Sequence, residues 1–269
     1  MSDARSPLTI YDLKERKAQG ERIVALTCYD ALFARLLDES GVDILLVGDS
    51  VNQVLAGAET TLSATLDQMI YHTKSVQRGT ERALVICDMP FLTYQVSREE
   101  AIRNCGRVLA ETGCHGVKLE GGQAIAATVR ALVDAGIPVM GHLGLTPQSV
   151  HVLGGYRVQG RDEAGAERLK QDAKALEEAG AFAIVLELIP ATLASRITKS
   201  LAIPTIGIGA GPACDGQVLV LHDVLGLNDR FNAKFVKRYA TLAQDVREAV
   251  ELFAAEVREG RYPGPEHSV

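Results

Sequence analysis

The chain has 269 residues, 47% of them hydrophobic and 23% charged, with a formal net charge of −6 at pH 7. An acidic balance without a basic tract excludes nucleic acid and an anionic membrane surface as expected partners and leaves a small molecule. No segment approaches the roughly 20 continuous apolar residues of a membrane span, and the polar, acid-containing N-terminus matches neither a secretory signal nor a transit peptide, so the expectation is a cytoplasmic protein.

Taken in order, residues 9–19 predict a short helix stopped by Gly20, then a strand over Ile23–Leu26 and a helix opened by Tyr29 and Asp30. The run from Val42 to Ser50, VDILLVGDS, is β-branched and Leu-rich without helical period. It reads as a strand buried on both faces that ends in Asp49 and Ser50. Residues 51–64 predict a long loop, which inside a compact domain is usually functional. Thr65–Arg78 predicts a helix, and Ala83–Cys87 is a second apolar run closed by Asp88. Ser97 with Glu100 has the spacing of a capping box for the following helix, which Gly113 stops.

Gly116–Leu119 is a third such run, closed by Glu120, and Lys118 alternates with Glu120 so that both face the same side. GGQAIAATVRALVDAG predicts a helix, and IPVMGHLG a strand ending at His142. A second long loop covers 143–162, followed by a helix over Glu163–Ala179 and a strand, Phe182–Leu186, closed by Glu187. IPATLASRITKSL reads as a helix, IPTIGIGAG and QVLVLHD as the last two strands. From Lys234 to Glu259 the apolar residues Phe235, Tyr239, Leu242, Val246, Ala249, Phe253 and Val257 form one stripe of a long helix, for packing on the barrel or for a subunit contact. Residues 260–269, with two prolines and two glycines, read as a frayed tail.

Eight alternations of strand and helix predict an α/β fold, a (β/α)8 TIM barrel forming a single domain over 1–269, with a short N-terminal helix and a long C-terminal one. A doubly wound open sheet is the rival, but it gives acids on four strand ends no reason to meet. A barrel gathers all strand C-termini on one face. The five cysteines, odd in number and without CxxC spacing, signal neither a disulfide framework nor a zinc site.

Asp49, Asp88 and Glu120 are hard oxygen ligands from consecutive strand ends, which suits an octahedral Mg2+ that keeps waters for a substrate to displace. Helix capping or salt bridging competes for each acid taken singly. Lys118 beside carboxylates suits a charged group that holds a substrate oxygen, while a Schiff-base role is disfavoured by those same carboxylates. Glu187 among apolar neighbours suits a base for a carbon-bound proton, with capping of the next helix as the alternative. His142 binds a substrate oxygen or satisfies a loop backbone group. GIGAG, Gly207–Gly211, lacks the spacing of a phosphate-binding loop.

The segments LLVGDS, DMPF, GVKLEGG, GHLGLTPQSV, GGYRVQGR, LELIP and PTIGIGAG followed by DGQVLVLHD, spread over residues 8–258, resemble the ketopantoate hydroxymethyltransferase family. The resemblance implies a barrel of the phosphoenolpyruvate/pyruvate type in a large homo-oligomer, a decamer (pentamer of dimers). It implies transfer of a one-carbon unit from 5,10-methylenetetrahydrofolate to 3-methyl-2-oxobutanoate, giving 2-dehydropantoate and tetrahydrofolate in pantothenate synthesis. By motif, Asp49, Asp88 and Glu120 fall on the family's magnesium positions, one ion per subunit. Asp49, Ser50, Asp88 and Lys118 fall on its oxo-acid contacts and Glu187 on its proton acceptor. One departure is GDSVN where the family usually has GDSLG, so Val51 and Asn52 leave loop closure and the folate fit open. The alternatives are a metal-dependent lyase or decarboxylase of 2-oxo dicarboxylic acids, using the same acids without folate, and a ring-forming scaffold without chemistry.

Overall fold

A computed structural model describes residues 6–269; the first five residues of the N-terminal stretch read above lie outside it. Eight parallel strands, β1 (Ile23–Thr27), β2 (Ile44–Val47), β3 (Leu84–Asp88), β4 (Gly116–Glu120), β5 (Val139–Gly144), β6 (Ala183–Glu187), β7 (Thr205–Ile208) and β8 (Gly216–Leu219), pair in sequence order. β8 returns to β1 with Ile23 opposite Gly216, so the barrel closes. The helices are α1 (Ile10–Gln19), α2 (Ala31–Glu39), α3 (Val51–Val54), α4 (Leu66–Arg78), α5 (Arg98–Thr112), α6 (Gln123–Asp134), α7 (Glu163–Glu178), α8 (Ala191–Ser200), α9 (Leu221–Val224) and α10 (Leu242–Arg258). One compact unit ends at Val220 and holds the whole barrel; a second spans Leu221–Val269.

The capping signals act as their chemistry requires. Thr65 and Gln68 form a reciprocal capping box at α4, and Asp30, Ser97 and Asp162 each accept from a first-turn amide of α2, α5 and α7. At α5 only the Ser97 half of the predicted box forms. Gly20 and Gly113 end α1 and α5 in the left-handed conformation.

One core cluster gathers Ile23 and Ala25 of β1, Ile44 and Leu46 of β2, Leu84 and Ile86 of β3, and Met140, Ala183, Val185, Ile206 and Val218 from the later strands. Leu13 of α1 joins it. Because side chains alternate along a strand, the same inward rows continue past the apolar layer into Asp88, into Lys118 and Glu120, into His142 and into Glu187. Strand alternation thus carries a dry interior directly into a charged mouth.

Several segments differ from the sequence reading. Residues 51–64 are not loop throughout: Val51–Val54 makes a helical turn. The eighth strand stops at Leu219, and the leucine, histidine and aspartate that follow enter α9. The tail helix begins at Leu242, not Lys234, so Phe235 and Tyr239 lie outside it. The backbone explains this, because Tyr239 N–H donates to Val224 O and Leu242 N–H to Leu225 O, contacts of a turn folded on α9 rather than of a continuing helix. No residue of α10 is buried, and Val246, Val250, Phe253 and Val257 are exposed. Among the described residues no helix is long and apolar enough to cross a membrane. All five cysteines are free and buried.

Candidate active site at the C-terminal mouth of the barrel

Strand register sets the site. Asp88 lies opposite Lys118, Glu120 opposite His142, and Gly144 opposite Glu187. Lys118 Nζ is 2.9 Å from Asp88 Oδ1 and 3.0 Å from His142 Nδ1. On its other side, His142 Nε2 is 3.0 Å from Glu187 Oε2, and its Nδ1 is 3.4 Å from Glu120 Oε1. A continuous polar row therefore crosses the mouth from β3 through β4 and β5 to β6.

Asp49 joins the row from the end of β2. Its backbone N–H donates to Asp88 Oδ2 at 3.1 Å, and its Oδ2 accepts from Gln148 Nε2 at 2.9 Å. Ser50 Oγ is 2.8 Å from the hydroxyl of Tyr29, a buried residue just past β1. The structure thus brings Asp49, Ser50, Asp88, Lys118, Glu120, His142 and Glu187 to one mouth. Sequence reasoning missed Tyr29, Tyr94 and Gln148, which are uncharged and sit in connecting segments. Tyr94 OH is 3.0 Å from both Glu120 N and Gln148 Oε1.

Three carboxylates here share one lysine, and the electrostatics show the shortage of positive charge. Burial, then the charges of Asp88 and Glu120, push Asp49 up to about 8. Burial also raises Asp88, against the opposing pull of Lys118. For Lys118 burial works against the charge, but Asp88, Glu120 and Asp49 outweigh it and raise its pKa. Burial works against the ionised form of Glu120 too, and its contact with His142 overcomes that and lowers its pKa. Burial and Lys118 resist a second proton on His142, yet Glu120 and Glu187 raise it to about 9.

Asp88 Oδ1 and His142 Nε2 are buried and, apart from these ion-pair approaches, have no hydrogen-bond partner. Oxygen donors in excess of cationic partners fit a hard divalent cation. Among the described residues no three acidic, histidine or cysteine side chains already stand as a formed ligand set. Lys118 and the Gln148 amide instead occupy carboxylate oxygens.

The two long loops border the mouth. Asn52, one of the two residues that depart from the family pattern, is buried and donates through Nδ2 to Thr60 O (2.9 Å) and Ser63 Oγ (2.8 Å), pinning its own loop. Gln53 Nε2 lies 3.2 Å from Tyr156 OH, joining the first loop to the second. In GIGAG, Gly211 serves packing: a Cβ there would stand 2.5 Å from Ala191 Cβ of α8.

The family model for ketopantoate hydroxymethyltransferase matches residues 7–265. The 3-methyl-2-oxobutanoate hydroxymethyltransferase of Pelobacter propionicus is 56% identical over 268 residues, which cover 100% of this chain and 99% of that protein. The protein of the same name from Moorella thermoacetica is 57% identical over 264 residues, 98% of each chain. Among solved structures, phosphonopyruvate hydrolase in complex with oxalate and Mg2+ superposes with a TM-score of 0.64 at 13% identity, over 97% of this chain and 93% of that one. A 2,3-dimethylmalate lyase of the PEP mutase/isocitrate lyase superfamily gives 0.60 at 16% identity over the same shares. At these identities the two likenesses show the fold, a closed parallel barrel.

Proposed function

The chain belongs to the ketopantoate hydroxymethyltransferase family, and on that premise we propose that it transfers the one-carbon unit of 5,10-methylenetetrahydrofolate to 3-methyl-2-oxobutanoate. The products are 2-dehydropantoate and tetrahydrofolate, a step of pantothenate synthesis. The single observation that carries the chemistry is the row in which His142 stands between Lys118 and Glu187, beside the buried carboxylates of Asp49, Asp88 and Glu120.

Asp49, Asp88 and Glu120 would hold Mg2+. When bound, the ion supplies Lewis acidity to the 2-oxo and carboxylate oxygens of the substrate. Glu187 accepts the C3 proton, and its contact with His142 Nε2 holds the carboxylate in place to do so. Lys118 keeps its proton, so its ammonium stabilises the negative charge that develops on the 2-oxo oxygen as the C3 proton leaves. Ser50 and Asp88 orient the oxo acid. Water adds to the folate-borne carbon as its two C–N bonds break, the water's protons going to the folate nitrogens, so that tetrahydrofolate leaves and the carbon is at the formaldehyde level. C3 bonds to that carbon, and the new oxygen takes the proton held on Glu187 to complete the hydroxymethyl group. The loops joined by Gln53 and Tyr156 limit entry of bulk water.

The reading includes a cytoplasmic homo-oligomer, a decamer, supported by the family resemblance and by the exposed apolar stripe of α10; sedimentation velocity tests it. For the reaction, the test is deuterium exchange at C3 of 3-methyl-2-oxobutanoate without folate. Exchange is expected with Mg2+ and is expected to stop with EDTA. Wild-type protein that catalyses no exchange would remove this substrate from consideration.

A further inference from the structure

Gln148 lies in the single 3-10 turn of the loop after β5, Pro147–Ser149, and is 7% exposed. Its backbone N–H donates to Glu120 Oε2 at 3.0 Å. Its side-chain Nε2 donates to Asp49 Oδ2 and to Met89 O, both at 2.9 Å. Its Oε1 lies 3.0 Å from Tyr94 OH and 3.2 Å from Gln95 Nε2. A carboxamide has two N–H donors and one carbonyl, so every polar group of this side chain is engaged. The amide orientation follows from its partners: the flipped form would set Oε1 against the Asp49 carboxylate and the Met89 carbonyl.

One residue after β5 therefore ties together the ends of β2, β3 and β4. A neutral donor is the chemistry this place requires. A lysine would neutralise the carboxylates and compete with a cation, whereas an apolar side chain would leave Asp49 without its donor. Tyr94 braces the amide in turn: its hydroxyl accepts from Glu120 N–H at 3.0 Å, and its one proton is shared between Gln148 Oε1 and Glu120 O, each at 3.0 Å.

From this geometry we infer that Gln148 is a positioning residue, which holds Asp49 and Glu120 in the arrangement from which they take up a divalent cation. The inference rests on the metal reading above and goes beyond it by assigning the control of affinity to an uncharged amide. Outer partners of metal-binding carboxylates typically change metal affinity by about 10- to 100-fold when removed.

The test is isothermal titration of the full-length, substrate-free protein with Mg2+, alongside thermal unfolding in EDTA. Gln148→Met keeps the length and removes the side-chain donors to Asp49 and Met89 while the backbone N–H to Glu120 stays; Tyr94→Phe keeps the ring and takes one donor from the amide oxygen. Wild type is expected to bind, Gln148→Met to bind about 10- to 100-fold more weakly, and Tyr94→Phe to weaken in the same direction by less. A Gln148→Met protein that melts earlier in EDTA but binds Mg2+ like wild type would assign the residue to packing and overturn the inference alone. Wild type that binds no Mg2+ would overturn the metal reading and this inference with it. Should Gln148→Met fail to fold, wild-type affinity in Tyr94→Phe overturns the inference.

Discussion

At the scale of single residues, Glu187 is the group whose loss separates proton transfer from ion binding. Its carboxylate faces His142 Nε2 at 3.0 Å, while Asp49 and Glu120 are held by Gln148. Glu187→Gln keeps the volume and removes the proton acceptor. C3 exchange is expected to fall by about 10²- to 10⁴-fold with Mg2+ affinity, measured by calorimetry, unchanged. The raised groups give a pH dependence. Asp49, near 8, and His142, near 9, bind protons more tightly folded than unfolded, so their stabilising contributions are complete below their ordinary values of 3.8 and 6.5 and are lost as pH rises through 8 and 9. In EDTA the melting temperature is therefore expected to drop between pH 6.5 and 9, and Mg2+ to restore it most at the alkaline end, where Asp49 is ionised. A flat EDTA profile would contradict this. The acids were legible in the sequence because a carboxylate closing a buried apolar run has no packing reason to be there. Gln148 and Tyr94 were not, since an uncharged polar residue in a polar segment looks like any solvated loop position until the fold supplies its partners.

At the scale of elements, the end of β6 is clamped from both sides. Glu187 O accepts from Leu145 N–H at 2.8 Å, and Leu188, with φ of 45°, donates to Ile208 O and accepts from Gln159 N–H, both at 2.9 Å. A leucine in the left-handed region is strained, and here the surrounding hydrogen bonds hold it. Gly144, at φ 93°, makes the approach possible: a Cβ there would stand 2.1 Å from Glu187 O and 2.7 Å from Ile189 Cγ2. Gly144→Ala is expected to destabilise by about 1–3 kcal/mol in urea unfolding and to reduce C3 exchange more than Mg2+ affinity, because it displaces β6 rather than the ends of β2 to β4. Equal losses would contradict that separation. The barrel strands and their intervening helices were legible from apolar runs and glycine stops. The start of α10 was not, since the apolar stripe from Phe235 onward keeps helical spacing while its backbone bonds go to the turn after α9. The turn at Val51–Val54 was masked by loop-like composition.

At the scale of the whole molecule, chemistry and stability sit at opposite ends of the barrel. Beside the N-terminal ends of the strands, buried Asp43 accepts from Arg16 at 2.9 Å, Arg82 at 2.7 Å and Val24 N–H at 3.0 Å, tying α1 to β1 and to the approach to β3. Lys17 likewise reaches Thr198 O, Ile203 O and Asp215. Breaking a buried ion pair by removing one partner costs roughly 3–5 kcal/mol. Asp43→Asn is expected near the lower figure, because its arginines are partly exposed, with Mg2+ affinity unchanged. A shifted affinity would show the two ends to be coupled.

The β1–β8 seam has a consequence for how the chain is made. Ile23 leaves the ribosome early, yet its partner Gly216 emerges only near the end of the barrel sequence. The first strand must therefore wait beside an open edge through most of translation. The acids at the tips of β2, β3 and β4 belong to neighbouring strands, so their mutual repulsion is met when those strands pair and does not wait for that seam.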